Sequence, residues 1–137
     1  MKAYRAAILR FDAQQQAAFD KDGLLVVAAD ASGIERILAV GDHDTLIGQY
    51  AGVPLEHLPG RIIAPGFVDM HVHFPQIDVI GSPASGLLPW LENYTFPQEA
   101  RFSDAAHSAD AAGFFLTELV RNGVTTALTF AISNTTS

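Results

Sequence analysis

The stretch from Pro65 to Phe130 limits the fold of this chain more than any other. After Pro65-Gly66 comes Phe67-Val68-Asp69-Met70-His71-Val72-His73, with apolar Val68, Met70 and Val72 alternating with Asp69, His71 and His73. Side chains alternate faces along a strand, so this pattern predicts a buried strand with polar groups on one face toward its C-terminal end. Ser103 or Asp104 can cap a helix running to Asn122, with Ala105, Ala109, Ala112, Leu116 and Leu119 at helical spacing and Gly123 at the stop. Val124 to Phe130, rich in β-branched and apolar residues, predicts a second strand. Strand, long connection with helix, strand is a right-handed parallel unit. The connection from His73 to Ser103 is about thirty residues without a clear period, a length that marks functional loops. It leaves from the C-terminal end of the first strand, where parallel α/β folds bind ligands.

Residues 1–64 read differently. Ala3 to Phe11, Leu24 to Ala29 and Ile34 to Val40 are strand-like runs, and Asp30-Ala31-Ser32-Gly33 supplies a tight turn between the last two. The expectation is an antiparallel sheet. Asp42-His43-Asp44 offers an N-cap and first-turn negative charge for a short helix through Leu46, Ile47 and Tyr50. Pro54, Pro59 and Gly60 are expected to end it and lead into a strand at Arg61-Ile62-Ile63.

Composition excludes several functions. At 49% hydrophobic and 17% charged residues the chain is a core-forming one, not a disordered one. Its net charge of −7, from eight Lys and Arg against fifteen Asp and Glu, lacks the basic field that nucleic acid or an anionic membrane surface would require. There is no cysteine, so any metal must be held by histidine and carboxylate, and the absence suits a reducing, cytoplasmic setting. Lys2, Arg5 and Arg10 interrupt what would be the apolar core of a signal peptide. The longest apolar run without a glycine, Leu24 to Ala29, is far short of the roughly twenty residues that span a bilayer.

His71 and His73 carry the chemistry. Two residues apart on a strand, their imidazoles face the same side with origins about 7 Å apart, within reach of one ion. Neutral imidazoles suit zinc, and iron as the less favoured alternative. A catalytic ion needs at least one further ligand and an open position for water, which then ionises near pH ~7. Taken alone, the pair reads more readily as two histidines satisfied by ordinary hydrogen bonds. Burying two imidazoles together without a partner is costly, which favours the metal. Asp69 shares the face one step down, as a supporting or packing group. His43, His57 and His107 have no ligand spacing and read as solvated surface histidines.

Pro65-Gly66-Phe67-Val68-Asp69-Met70-His71-Val72-His73 resembles the first barrel strand of the metal-dependent amidohydrolase superfamily. Within it, His73-Phe74-Pro75-Gln76 and the string Leu88-Pro89-Trp90-Leu91-Glu92-Asn93-Tyr94-Thr95-Phe96-Pro97-Gln98-Glu99-Ala100-Arg101-Phe102 are similar to the guanine deaminase family. The resemblance implies an α/β fold: an N-terminal β-sandwich segment over 1–64, then over 65–137 the start of a (β/α)8 TIM barrel that is incomplete in this chain. It implies a zinc-dependent hydrolytic deamination of guanine to xanthine and ammonia, with His71 and His73 as metal ligands. Gln76 matches the glutamine that hydrogen-bonds the purine, since a carboxamide offers a donor and an acceptor side by side. Gln76 is otherwise an ordinary loop residue. Trp90, with Tyr94 and Phe96, could wall the ring or instead form a small aromatic core. Arg101 reads equally as a salt-bridging residue ahead of the helix.

The resemblance further implies a small-molecule purine substrate, a homodimer when full length, and catalytic residues and remaining ligands beyond residue 137. A histidine typical of the family a few residues after Phe130 is replaced by Asn134. A barrel takes about 250 residues, so the isolated chain is expected to be inactive. The alternatives are an amidohydrolase acting on a related aminopurine, an oxidised guanine or a triazine, and a non-catalytic truncated homologue that acts as an oligomerising module.

Overall fold

The computed structural model describes residues 1–132; the departure at Asn134 lies outside them. The chain forms two compact units, Met1–Pro65 and Gly66–Ser137.

The first unit is one four-stranded sheet in the order β3-β2-β1-β4, made of β1 (Lys2–Phe11), β2 (Ala17–Ala29), β3 (Glu35–Asp42) and β4 (Leu55–Ile63). β2 starts seven residues before the apolar run at Leu24, because Arg5 pairs with Asp22 and Arg10 with Asp20 across β1 and β2. Such cross-strand pairs extend a ladder through polar sequence. The β2–β3 turn is held by Asp30: Oδ1 accepts the backbone N–H of Ser32 at 2.9 Å and of Ile34 at 3.0 Å, and Oδ2 accepts from Arg36 Nε at 3.0 Å. The Ser32 hydroxyl, Arg36 and these amides pull the Asp30 carboxyl down to about 2. Gly33, at φ 83°, completes the turn.

Several expectations are corrected in this unit. The sheet is mixed, since β4 runs parallel to β1, and β4 already begins at Leu55. Pro59 and Gly60 do not precede the strand. They sit in an irregularity between the pairs Arg5↔His57 and Ala7↔Ile62, where a residue without an N–H interrupts no ladder bond and Gly60 takes a φ of 70°. Nor does this unit hold a second sheet that would make a sandwich of it. One face is covered instead by α1 (His43–Leu46) and the 3-10 turn Ile47–Tyr50: Leu46, Ile47 and Tyr50 pack on the buried Ala3, Leu24 and Val26. Asp42 caps α1 by accepting from the Thr45 N–H at 3.0 Å. That helix carries His43 inward, so this histidine is buried, with Nδ1 2.8 Å from Asp44 Oδ1, and is not a solvated surface residue.

The second unit pairs β5 (Phe67–His73) with β6 (Val124–Phe130) in parallel, through a crossover that contains α4 (Ala105–Arg121). Asp104 caps α4, accepting from the N–H groups of Ala106 and His107, and Gly123, at φ 82°, follows its C-cap Asn122. The face of α4 that packs is Ser108, Ala111 and Phe115 with Ala112 and Leu119, rotated from the expected stripe; Leu116 is exposed. Phe74 and Phe102, edge-on at 5.0 Å, draw the helix onto that side. The connection expected to be irregular is a chain of short turns: a 3-10 helix at Phe74–Val79, α2 (Leu87–Trp90), a π turn at Leu91–Thr95, α3 (Phe96–Ala100) and a 3-10 turn at Arg101–Ser103. The expectation of a buried β5 fails too. Phe67 is 68% and Met70 65% exposed, because β5 has one strand partner and, of its alternating apolar residues, it is Val72 that packs against the buried cluster of this unit. No helix in the described residues is long and apolar enough to cross a membrane.

Candidate active site

β5 is not a regular strand. From Asp69 to Val72 it takes three steps while β6 takes two, from Ala127 to Thr129, so one residue is extra at Met70–His71. The backbone N–H of His71 donates to Asp69 Oδ1 at 3.0 Å. Asp69 thus satisfies a donor within the irregular stretch, a structural task that fits the supporting role expected of it. Bulges of this kind re-aim side chains and occur beside functional sites.

In the bulge and just after it, His71 and His73 converge. Their ring centroids are 5.0 Å apart and their Nε2 atoms 2.9 Å, one Nε2–H donating to the other's lone pair. Two nitrogens bound to one tetrahedral zinc at about 2.0–2.1 Å lie about 3.3 Å apart, so the pair needs to open by only a few tenths of an ångström to hold an ion in place of the shared proton. The fit is that of half a donor set. Among the described residues no group of three or more His, Cys, Asp or Glu gathers to hold a metal. Phe130, at the end of β6, is paired in register with His73 and lies 4.8 Å from both imidazole rings, stacked on His73 with 12° between planes.

The 3-10 helix that follows β5 carries Gln76, half-buried, whose Nε2 donates to Glu99 Oε1 at 3.1 Å. A carboxylate only accepts, so this contact fixes the carboxamide with its nitrogen toward α3 and leaves Oε1 and one N–H for another partner. Beside it, Gln98 is buried, donating from Nε2 to Asp78 Oδ2 at 2.7 Å and accepting from Arg101 Nη1 at 2.8 Å. Arg101 also lies 3.5 Å from Asp78 Oδ2 and donates toward His107 Nδ1 at 3.4 Å. The salt-bridging reading of Arg101 therefore describes its contacts. His107 is not simply a solvated residue: its ring stands edge-on to Phe102 at 4.7 Å.

Trp90 and Tyr94 are half-buried on α2 and the π turn, while Phe96 is exposed. The aromatic core of this unit is formed by Phe74, Phe102 and Phe115 and not by those three. Phe130, Glu99 and Asp78 were invisible as site residues. Phe130 needed the β5–β6 register, and the other two needed the folding of a connection without a period.

Residues 62–137 match the amidohydrolase family. The chain belongs to that family. It is 38% identical over 143 aligned positions to a probable guanine deaminase of Deinococcus radiodurans, covering 95% of this chain and 31% of the relative. The crystal structure of guanine deaminase from Bradyrhizobium japonicum is similar, with a TM-score of 0.88 and 31% identity over 98% of this chain and 30% of that one. So is a guanine deaminase of C. acetobutylicum with bound guanine in the active site, at a TM-score of 0.79 and 30% identity, over 95% of this chain and 30% of that one. The chain spans between 15% and 31% of the length of the curated relatives it matches. It is a guanine deaminase homologue and a mixed α/β segment of such a structure, with no closed barrel among the described residues.

Proposed function

We propose that this chain is the N-terminal portion of a zinc-dependent guanine deaminase, and that it is inactive by itself. The convergence of the His71 and His73 Nε2 atoms at 2.9 Å carries the reading. It gathers two nitrogen donors at the C-terminal end of a parallel strand, the end at which such folds bind ligands. His71 and His73 hold the ion. A bound zinc supplies Lewis acidity and an activated water at neutral pH.

Gln76 reads the purine edge. Glu99 holds one of its N–H groups, so the carboxamide offers Oε1 as acceptor and the remaining N–H as donor. Trp90, half-buried on α2, is proposed as a wall for the planar ring. The general acid and base and the remaining ligands would come from the part of the full-length relatives that this chain does not span. The C. acetobutylicum homologue, solved with guanine, supports guanine over other rings.

The test has two parts. Purified chain with excess zinc is expected to leave guanine unconsumed, and robust turnover would show that the site is complete within 137 residues. A full-length product carrying this segment is expected to convert guanine to xanthine faster than it hydrolyses aminotriazines; the opposite preference would move the assignment to another ring. A second reading, an oligomerising module, is favoured by the exposed apolar side chains of Phe67, Val68 and Met70 on β5. Sedimentation decides it, a metal-free oligomer supporting the module and a zinc-binding monomer the deaminase.

A further inference from the structure

We propose that Phe130 is a positioning residue for the His71–His73 pair: its ring, supplied by the neighbouring strand, holds both imidazoles in the rotamers that aim their Nε2 atoms at one point. The inference rests on the reading of these histidines as metal ligands. Three observations carry it. The parallel register sets Phe130 directly beside His73. Its ring is 4.8 Å from each imidazole centroid, stacked nearly parallel to His73 at 12° and tilted 38° to His71, so one ring constrains two. And Phe130 is 46% exposed and absent from the aromatic core, so burial alone gives little reason for a large ring at this position.

The physical consequence follows from rotamer freedom. The imidazole torsion is broad, and a half-exposed histidine that must be ordered when the ion arrives gives up affinity for that ordering. A ring that orders both histidines beforehand removes the loss. Groups that orient metal ligands are worth about 10–100-fold in affinity. Phe130, acting by packing and not by a hydrogen bond, is placed at the lower end, about tenfold.

Zinc chloride titrated into the 137-residue chain, followed by the imidazole Cε1–H signals of His71 and His73 in NMR spectra, tests this. In the wild type the stacked ring is expected to displace the His73 signal upfield before any zinc is added. Phe130→Leu should abolish that displacement and weaken zinc binding about tenfold, while Phe130→Tyr, which keeps the ring, should bind as the wild type does. Equal affinity in wild type and Phe130→Leu, equal weakening in both variants, or no upfield displacement in the wild type overturns the positioning role and leaves the metal reading standing. Zinc in large excess that moves neither imidazole in the wild type overturns the reading of this pair as an ion-binding site by itself, and the role of Phe130 with it.

Discussion

The two units handle apolar surface in opposite ways. In the first, β1 to β3 meet through short hairpins and the next segment folds back as α1 and a 3-10 turn, so Leu24 and Val26 reach complete burial. In the second, β5 and β6 are joined by a long crossover and paired only with each other, and Phe67, Val68, Met70 and Leu128 remain exposed. Its buried cluster lies instead between the crossover and α4, at Phe74, Phe102, Ala111 and Phe115. A sheet of adjacent antiparallel strands can finish a core from nearby sequence, whereas a parallel pair exposes two faces and two edges that nearby sequence does not cover. The candidate site lies on the less covered of the two sheets.

Substitutions sharpen this contrast. Leu24→Ala, which opens a cavity in the completely buried core of the first unit, is expected to cost about 2–5 kcal/mol in chemical unfolding. A smaller loss would mean that this core is less tightly closed than the contrast requires. Gly66→Ala tests the other sheet at its entrance. A methyl group there would overlap the side chain of Thr125, the extra residue of β6 between the pairs Phe67↔Val124 and Val68↔Thr126. Overpacking of this kind costs about 1–3 kcal/mol, and hydrogen exchange should place the loss in β5 and β6.

A third test is one of pH. The carboxyl of Asp30 lies at about 2 when folded, below its unfolded value of about 3.9. Its contribution is complete above the unfolded value and is lost as the pH falls through about 2. Thermal melts from pH 5 to 2 should therefore show a fall in the first unit that Asp30→Asn makes shallower. Leu116→Ala, on the exposed face of α4, should change stability by less than about 0.5 kcal/mol. The same substitution as at position 24, with a several-fold smaller effect, would confirm where the cores lie; an effect of equal size would break the comparison.

Much of the second unit is legible in local sequence, because local chemistry decides it. Asp104 and Gly123 bracket α4 through their own hydrogen bonds and backbone angle, and β-branched residues make β6. The features that went unread depend on partners far along the chain. The parallel pairing of β4 is set by β1, which lets Pro59 and Gly60 sit in a gap of the ladder. The inward turn of His43 depends on which face of α1 meets the sheet. Likewise, alternation in β5 announces an apolar face without saying what covers it. In the site, the histidine pair is written in the spacing, but its closeness is not. That closeness arises in a strand with a bulge that only register reveals, and Phe130 enters by the same route.

The parallel pairing of β5 with β6 also has a consequence in time. The hairpins β1–β2 and β2–β3 close over short segments and can form in about 1–10 μs. Contact between His73 and Phe130 must wait for the whole crossover, with α4, to come together, a non-local closure of the kind that slows folding. During synthesis from the N-terminus the first sheet is complete while Phe130 is still to be added. The docking of that last strand is the step that turns two loosely ordered imidazoles into a pair.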